Sequence, residues 1–377
     1  MKPGLLLILL TWTPSLLMGQ TEDQQCLASA LPMLQQRKLA DAEAKLSACQ
    51  RHYPQSAILS NAIGIVYEQE GRKQEATKAF EKALELLPSF TAAQIHLGTL
   101  YAGAGNCDAA NRLLSTAAAS TSDSGALVAS GAGLARCHDL PGAMKAFEKA
   151  LQANPQSVPA ANNLVLAALD LIHQERFGEV AGLLENSPPT VDVLSILGLA
   201  RFRLGRYREA IVAYSKAITL DPSLEAAREG LGFLLYMTGD LERARSVVEA
   251  GDSSFYLLYL RALILYRESP GLRAKALASV SAAIEKNPKF APAYFLRGKI
   301  RSDQNEPAAA LKDFQTAVQI DPKYSLPYYR MARIYSAMGR AAEAAEAARQ
   351  FSALGSLRED DVLAGQAKAH LTPEPGP

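Results

Sequence analysis

Residues 57–90 read AILSNAIGIVYEQEGRKQEATKAFEKALELLPSF, and this stretch decides the fold. Its second half carries a ladder, Gly71, Ala76, Phe80, Ala83 and Pro88, that returns along the chain. Before Pro222 the ladder reads Gly205, Ala210, Tyr214 and Ala217, and before Pro322 it reads Ala310, Phe314 and Ala317. Six prolines, Pro54, Pro88, Pro155, Pro222, Pro288 and Pro322, stand at intervals of 34, 67, 67, 66 and 34 residues. That is one period of about 34 residues, sometimes counted twice, and a fixed period of this length marks a stack of helix pairs.

Spacings of three and four put Ala76, Phe80 and Ala83 on one stripe of a helix. The alanines let a neighbouring helix approach closely and the aromatic ring fills the gap between them. Ile63, Gly64 and Tyr67 form the matching stripe of a preceding helix. Gly71 ends that helix, because glycine takes the left-handed cap conformation at little cost. Pro88 ends the second helix and opens the next unit. One hairpin cannot cover its own apolar faces, so every unit needs its neighbours.

On these residues the chain resembles the tetratricopeptide repeat family, whose pattern places Leu-Gly and then Tyr in helix A and Ala, Phe, Ala, Pro in helix B. Leu97-Gly98 with Tyr101, and Leu197-Gly198, match the first half; Ala143, Phe147, Ala150 and Pro155 match the second. The resemblance implies an all-α fold, a right-handed α-solenoid of about ten helix-turn-helix units. These fall approximately at 23–56, 57–90, 91–123, 124–157, 158–190, 191–224, 225–254, 255–290, 291–324 and 325–358. The family's helix A tryptophan is missing from every unit, and the single Trp12 lies outside the array. Unit 158–190 lacks the aromatic and the proline in register, and unit 255–290 carries a longer turn at Arg267-Glu268-Ser269-Pro270-Gly271.

The array divides by charge into an N-terminal block, 23–190, and a C-terminal block, 191–358. Residues 1–190 hold 14 Lys+Arg against 17 Asp+Glu, whereas residues 191–377 hold 25 against 21. The step falls at Asn186-Ser187-Pro188-Pro189-Thr190, where two prolines preclude a continuous helix. Two readings stay open there, a hinge between blocks or a longer inter-repeat turn. Overall the formal charge is +1, which leaves no strong field for nucleic acid or an anionic membrane surface.

Under the repeat register the four cysteines form two pairs. Cys26 lies near the start of helix A of the first unit and Cys49 near the end of its helix B. Cys107 opens helix B of the third unit and Cys137 closes helix A of the fourth. Antiparallel neighbours bring each pair together, so disulfides Cys26–Cys49 and Cys107–Cys137 are expected; the alternative is four buried thiols. Bridges agree with the leader-like segment 1–19, where an early lysine, an apolar run of about 14 residues and the small Gly19 read as a secretory signal peptide. The run is shorter than the roughly 20 residues that span a bilayer. An uncleaved anchor is the other reading, and the signal reading places the chain in a periplasm or among secreted proteins.

Catalytic patterns are missing. His52, His96, His138, His173 and His370 stand apart and fit no metal-ligand spacing, and neither a phosphate loop nor a nucleophile elbow occurs. The expectation is therefore a protein that is not an enzyme and has no cofactor or metal. His96 is singled out because it falls on the inner side of the third unit.

Function then rests on the inner wall, which the resemblance assigns to helix A. The positions that point inward by the family's pattern are neutral in the N-terminal block, with Asn61, Ile65, Ile95, Thr99, Val128, Ala132 and Asn162. In the C-terminal block they turn aromatic and basic: Phe202, Arg203, Phe233, Tyr236, Tyr256, Tyr259, Tyr266, Arg267, Phe295, Lys299, Tyr329, Arg330 and Arg333. Aromatics beside arginines are the composition of binding hot spots. This groove is expected to take an extended peptide or protein segment with apolar side chains and some acidic character; the alternative is that the rings are inter-helix packing.

The first function class is thus a non-catalytic protein–protein interaction scaffold. An assembly or export factor for outer-membrane proteins or polysaccharide is the second, and an enzyme with an unrecognised site is the third. Residues 359–377 read as a capping helix over Asp361–His370 followed by a frayed proline-rich tail.

Overall fold

The computed structural model describes residues 21–251, 254–355 and 359–373, and among them all regular structure is helical. The expected leader at 1–19 and the last four residues lie outside the described part.

Helices pair in the order the period requires. The first five hairpins join α1 (Glu22–Gln35) to α2 (Leu39–His52), α3 (Ala57–Gln69) to α4 (Lys73–Leu86), α5 (Thr91–Gly103) to α6 (Cys107–Ser120), α7 (Ser124–Arg136) to α8 (Leu140–Ala153) and α9 (Val158–His173) to α10 (Phe177–Leu184). Five more join α11 (Val191–Arg203) to α12 (Tyr207–Leu220), α13 (Glu225–Thr238) to α14 (Leu241–Glu249), α15 (Phe255–Glu268) to α16 (Arg273–Lys286), α17 (Ala291–Asp303) to α18 (Pro307–Ile320) and α19 (Ser325–Ala337) to α20 (Ala341–Leu354). A last helix, α21 (Glu359–Leu371), follows the array. The turn flagged in the eighth unit holds a short 3-10 segment, Pro270–Leu272.

Within a hairpin the turn is set by one residue with positive φ. Gly71, Gly105, Gly205, Gly239 and Gly339 hold φ between 73° and 84°. Arg37, His138, Glu175 and Asn305 take the same place where the glycine is lost, at φ 56–63°. In each case the next amide reaches back five residues along the first helix, as Arg72 N donates to Tyr67 O (2.9 Å) and Asn106 N to Tyr101 O (2.9 Å). This closes the helix with its last carbonyls satisfied.

The second glycine of the pattern works by close approach. A Cβ on Gly298 would lie 2.6 Å from Phe314 Cε1, and one on Gly131 would lie 2.5 Å from Phe147 Cε1. Phe314 and Phe147 are fully buried between their flanking alanines, so neither ring has room to move. Gly298→Ala is therefore expected to cost about 1–3 kcal/mol, because overpacking forces an aromatic off its rotamer. Urea unfolding of the full chain reads this directly, and an unshifted midpoint would contradict the packing.

The cysteines meet as the register requires. Cys26 and Cys49 have Cα atoms 5.9 Å apart, and Cys107 and Cys137 have them 5.2 Å apart, both at disulfide distance. The chain divides into two compact units whose boundary falls inside α9, between Ala168 and Leu169, with residues 186–188 returning to the first. The division thus starts before the Pro188-Pro189 step in charge, and α10 packs onto α11 in the second unit. The first unit carries both cysteine pairs. The second buries a large apolar cluster that runs from Leu194 to Ala367 and holds an ionic group at Asp313 between α17 and α18.

Candidate functional site

In the second unit α11, α13, α15 and α17 touch in succession and form its inner wall. Alternate helices of the first unit, α1, α3, α5 and α7, touch in the same way. The wall of the first unit is neutral: Asn61, Ile65 and Ile95 are closed to solvent, Thr99 and Val128 half-buried, and Ala132 and Asn162 exposed. His96 is buried there too, stacked on Phe80 at 5.1 Å, with Nδ1 3.1 Å from Glu68 Oε2. This is a packed, oriented histidine, and its partners are one ring and one carboxylate.

The wall of the second unit is covered by α21. The side of α21 that meets it carries Glu359, Leu363, Gln366, Ala367 and His370, spaced by four, three, one and three residues. Leu363 and Ala367 are buried in the same cluster as Phe202, Phe233 and Tyr256, while Asp360, Asp361, Gly365 and Ala369 face solvent. Spacings of this kind place one stripe of a helix against a surface. Hydrophobic gain comes chiefly from Leu363, on the order of 2 kcal/mol. A 13-residue helix is marginal alone, and Gly365 weakens it further.

Polar contacts fix both ends. Lys299 Nζ, on α17, donates to Glu359 Oε1, and the ammonium also lies 4.9 Å from the centre of the Tyr266 ring. At the other end His370 stacks on Tyr256 at 4.0 Å, with Nε2 3.0 Å from Oε2 of the buried Glu229 on α13. Arg203, at the end of α11, donates to Thr372 Oγ1 (2.8 Å) and to the carbonyl of Lys368 (3.4 Å). The helix therefore runs from α17 towards α11 in one direction. Its acidic first turn, Glu359-Asp360-Asp361, and basic last turn, Lys368 and His370, suit the helix dipole. The extra helix expected as a cap is present, but its contacts run inward along the unit, and Val362 packs against the cluster under α19.

The thirteen residues assigned to the groove divide by this geometry. Phe202 and Phe233, each 1% exposed and 5.7 Å apart edge-to-face, are core rings. Tyr256, Tyr259 and Phe295 are also buried, Tyr256 under the His370 ring of α21. Tyr236, Tyr266, Arg267 and Lys299 line an open cavity of about 330 Å³ beside Glu359 and Asp360. Arg267 lies over the Tyr236 ring at 5.1 Å and donates to its carbonyl at 3.2 Å. Arg203 joins the group through α21, and Arg330 acts on the Tyr266 phenol at a distance. Tyr329 and Arg333 lie elsewhere, on the face between α19 and α20, where Tyr329 meets Phe351 at 5.4 Å.

Burial pushes the phenols of Tyr236, Tyr256, Tyr259 and Tyr266 above their ordinary value, for Tyr266 with help from its hydrogen bond to Asp303. They stay protonated near neutrality and offer donors and ring faces. Among the described residues no group of three or more His, Cys, Asp and Glu is placed to hold a metal, and no helix is long and apolar enough to cross a membrane. What this surface can do chemically is grip a helix by an apolar centre and charged ends. Sequence reasoning missed Glu229, Glu359, Leu363 and His370. The i, i+4, i+7, i+8, i+11 stripe of 359–370 was the available signal.

Comparison with known proteins agrees with the repeat. Models of the family described as TPR repeat or tetratricopeptide repeat match residues 198–239, residues 67–137 and 301–354, and residues 30–89 and 261–325, together more than half of the chain. A curated relative, the small glutamine-rich tetratricopeptide repeat-containing protein 2 of Mycosarcoma maydis, is 33% identical over 94 residues. The match covers 25% of this chain and 27% of that protein's length. Among solved structures, yeast Tom70 aligns at 14% identity and TM-score 0.41, over 93% of this chain and 96% of that one. A tetratricopeptide repeat protein from Parabacteroides merdae aligns at 19% identity and TM-score 0.35, over 82% and 96%. The APC/C hetero-tetramer Cut9–Hcn1 aligns at 11% identity and TM-score 0.47, over 93% and 90%.

Proposed function

Because the chain belongs to the tetratricopeptide repeat family, we propose that it is a non-catalytic protein–protein interaction scaffold. Its second unit takes a partner segment with apolar side chains and carboxylates against the inner wall of α11, α13, α15 and α17. One observation carries this reading: that wall already holds a peptide of this chemistry, with Glu359 on Lys299 and Leu363 in the apolar centre. Arg267, exposed beside the open cavity, supplies a second cationic contact of the type that clamps a carboxylate.

The test is affinity capture by the full chain and by its Arg267→Glu, Arg330→Glu variant. Neither change removes a buried ring, so circular dichroism is expected to stay the same while partner recovery falls about tenfold or more. Equal recovery by both proteins would contradict the site. We further propose that the protein is exported. The apolar leader and two cysteine pairs at bonding distance support this. Alkylation of the native protein without reductant is expected to leave all four cysteines unlabelled.

A further inference from the structure

We propose that α21 is an intramolecular ligand of the second unit: it occupies the surface assigned to the partner, and the partner that replaces it is an amphipathic helix with an acidic first turn. The inference rests on the scaffold reading above and adds the occupant, its direction and its regulation.

Three observations carry it. The first is the unequal footing of α21. It buries Leu363 and Ala367, whereas α13 beside it buries ten residues, from Ala227 to Tyr236. Its remaining contacts are the partly buried Val362, Ala364 and Leu371, the His370 ring against Tyr256 and Phe255, and polar pairs at the two ends, whose exposed groups regain water when the helix leaves. Local opening is drawn from elements of this kind, with few apolar contacts and exposed hydrogen bonds. Departure of α21 takes away no contact between the hairpins.

The second observation is the direction built into the wall. Lys299 stands at the α17 end and the buried Glu229 at the α13 end. A helix bound the other way would bring its acidic turn to Glu229, a carboxylate already closed to solvent. The wall therefore selects a helix with carboxylates in its first turn, one leucine-sized residue a turn later, a small residue four positions beyond that, and a donor ring or base at the end.

The third is unused space. The cavity of about 330 Å³ beside Glu359 and Asp360 is lined by Tyr236, Leu263, Tyr266, Arg267 and Lys299. A helix with longer acidic side chains, or with one more turn at its start, fills this space and reaches Arg267. Such a partner makes contacts that α21 leaves unmade. It needs them, because a tethered segment competes at an effective concentration of about a millimolar.

The probe is a labelled synthetic peptide of residues 359–373, EDDVLAGQAKAHLTP, titrated by fluorescence anisotropy into the full chain. Leu363→Asp with Ala367→Asp, both in the chain's own α21, is expected to bind the peptide at least tenfold more tightly than the natural sequence. Adding Lys299→Glu to that variant is expected to remove the gain. Equal affinity for the natural chain and the double variant would overturn the proposal. Hydrogen exchange on the natural chain needs no variant that must fold. Amides of α21 are expected to exchange at least tenfold faster than those of α13, and faster still with excess peptide. Protection of α21 equal to that of α13 would make it a fixed part of the unit and would also overturn the proposal. Partner capture separates this from the scaffold reading. Equal capture by the natural chain and the double variant removes self-occupancy and leaves the scaffold. Failed capture by both, with the peptide gain intact, removes the scaffold and leaves self-occupancy.

Discussion

Replacing Asp313 with alanine is expected to destabilise the second unit by about 3–5 kcal/mol, the range for removing one partner of a buried ionic group. Asp313 is 2% exposed and serves both Arg297 and Arg301 on α17. Arg297 binds it through Nη2 at 2.7 Å and Nε at 3.1 Å, and Arg301 Nη1 adds a bond of 2.8 Å. Its loss leaves two guanidinium groups side by side, each with limited access to water. Charged hydrogen bonds of this kind are short and strong, and their removal exposes the full desolvation cost of the groups that remain. Asp313→Asn keeps the volume and one acceptor, so a smaller loss is expected from it. Urea unfolding followed by hydrogen exchange at α17 and α18 measures both. An alanine variant within 1 kcal/mol of the natural protein would mean that the group contributes little.

Exchanging Cys107 and Cys137 together for serine is expected to remove about 3–4 kcal/mol from the first unit, since the bridge closes a loop of 30 residues in the unfolded chain. The bridge ties the start of α6 to the residue after α7, so it crosses from one hairpin to the next. Cys26–Cys49, with a separation of 23, ties the two ends of a single hairpin and is expected to contribute slightly less. The effect is local. Hydrogen exchange at α5–α8 is expected to rise while α15–α18 keep their protection, because both bridges belong to the first unit. Equal losses in both units, or none in either, would contradict this assignment.

The sequence makes the array legible because its determinants are local. Gly71, Ala76, Phe80 and Ala83 lie within one hairpin, and each states a backbone or packing requirement that recurs every 34 residues or so. The cysteine pairs followed from the same register, since helix ends that neighbour in an antiparallel stack are fixed once the period is known. The candidate site was legible in part. Lys299, Tyr266 and Arg267 were assigned to the wall from their inward positions, and the structure places them around one cavity. Phe202 and Phe233 were assigned to the same wall, but a ring at helical spacing serves the core as readily as a groove. What decided the site lay far along the chain: Glu229 with His370 spans 141 residues, and Arg203 with Thr372 spans 169. No repeat links those positions, so only tertiary structure brings them together. The segment 359–370 reads as a helix whose sequence leaves open which surface receives it.

On the proposed reading, the inner wall of the second unit recognises a helix by charge at its ends. A charge-exchange cycle on the full chain probes this recognition, with hydrogen exchange of α21 as the readout. Lys299→Glu alone and Glu359→Lys alone are each expected to raise α21 exchange about tenfold or more, and the two together to restore it to within about threefold. Equal α21 protection in all four proteins would contradict the claim, since the Lys299–Glu359 contact would then carry no recognition.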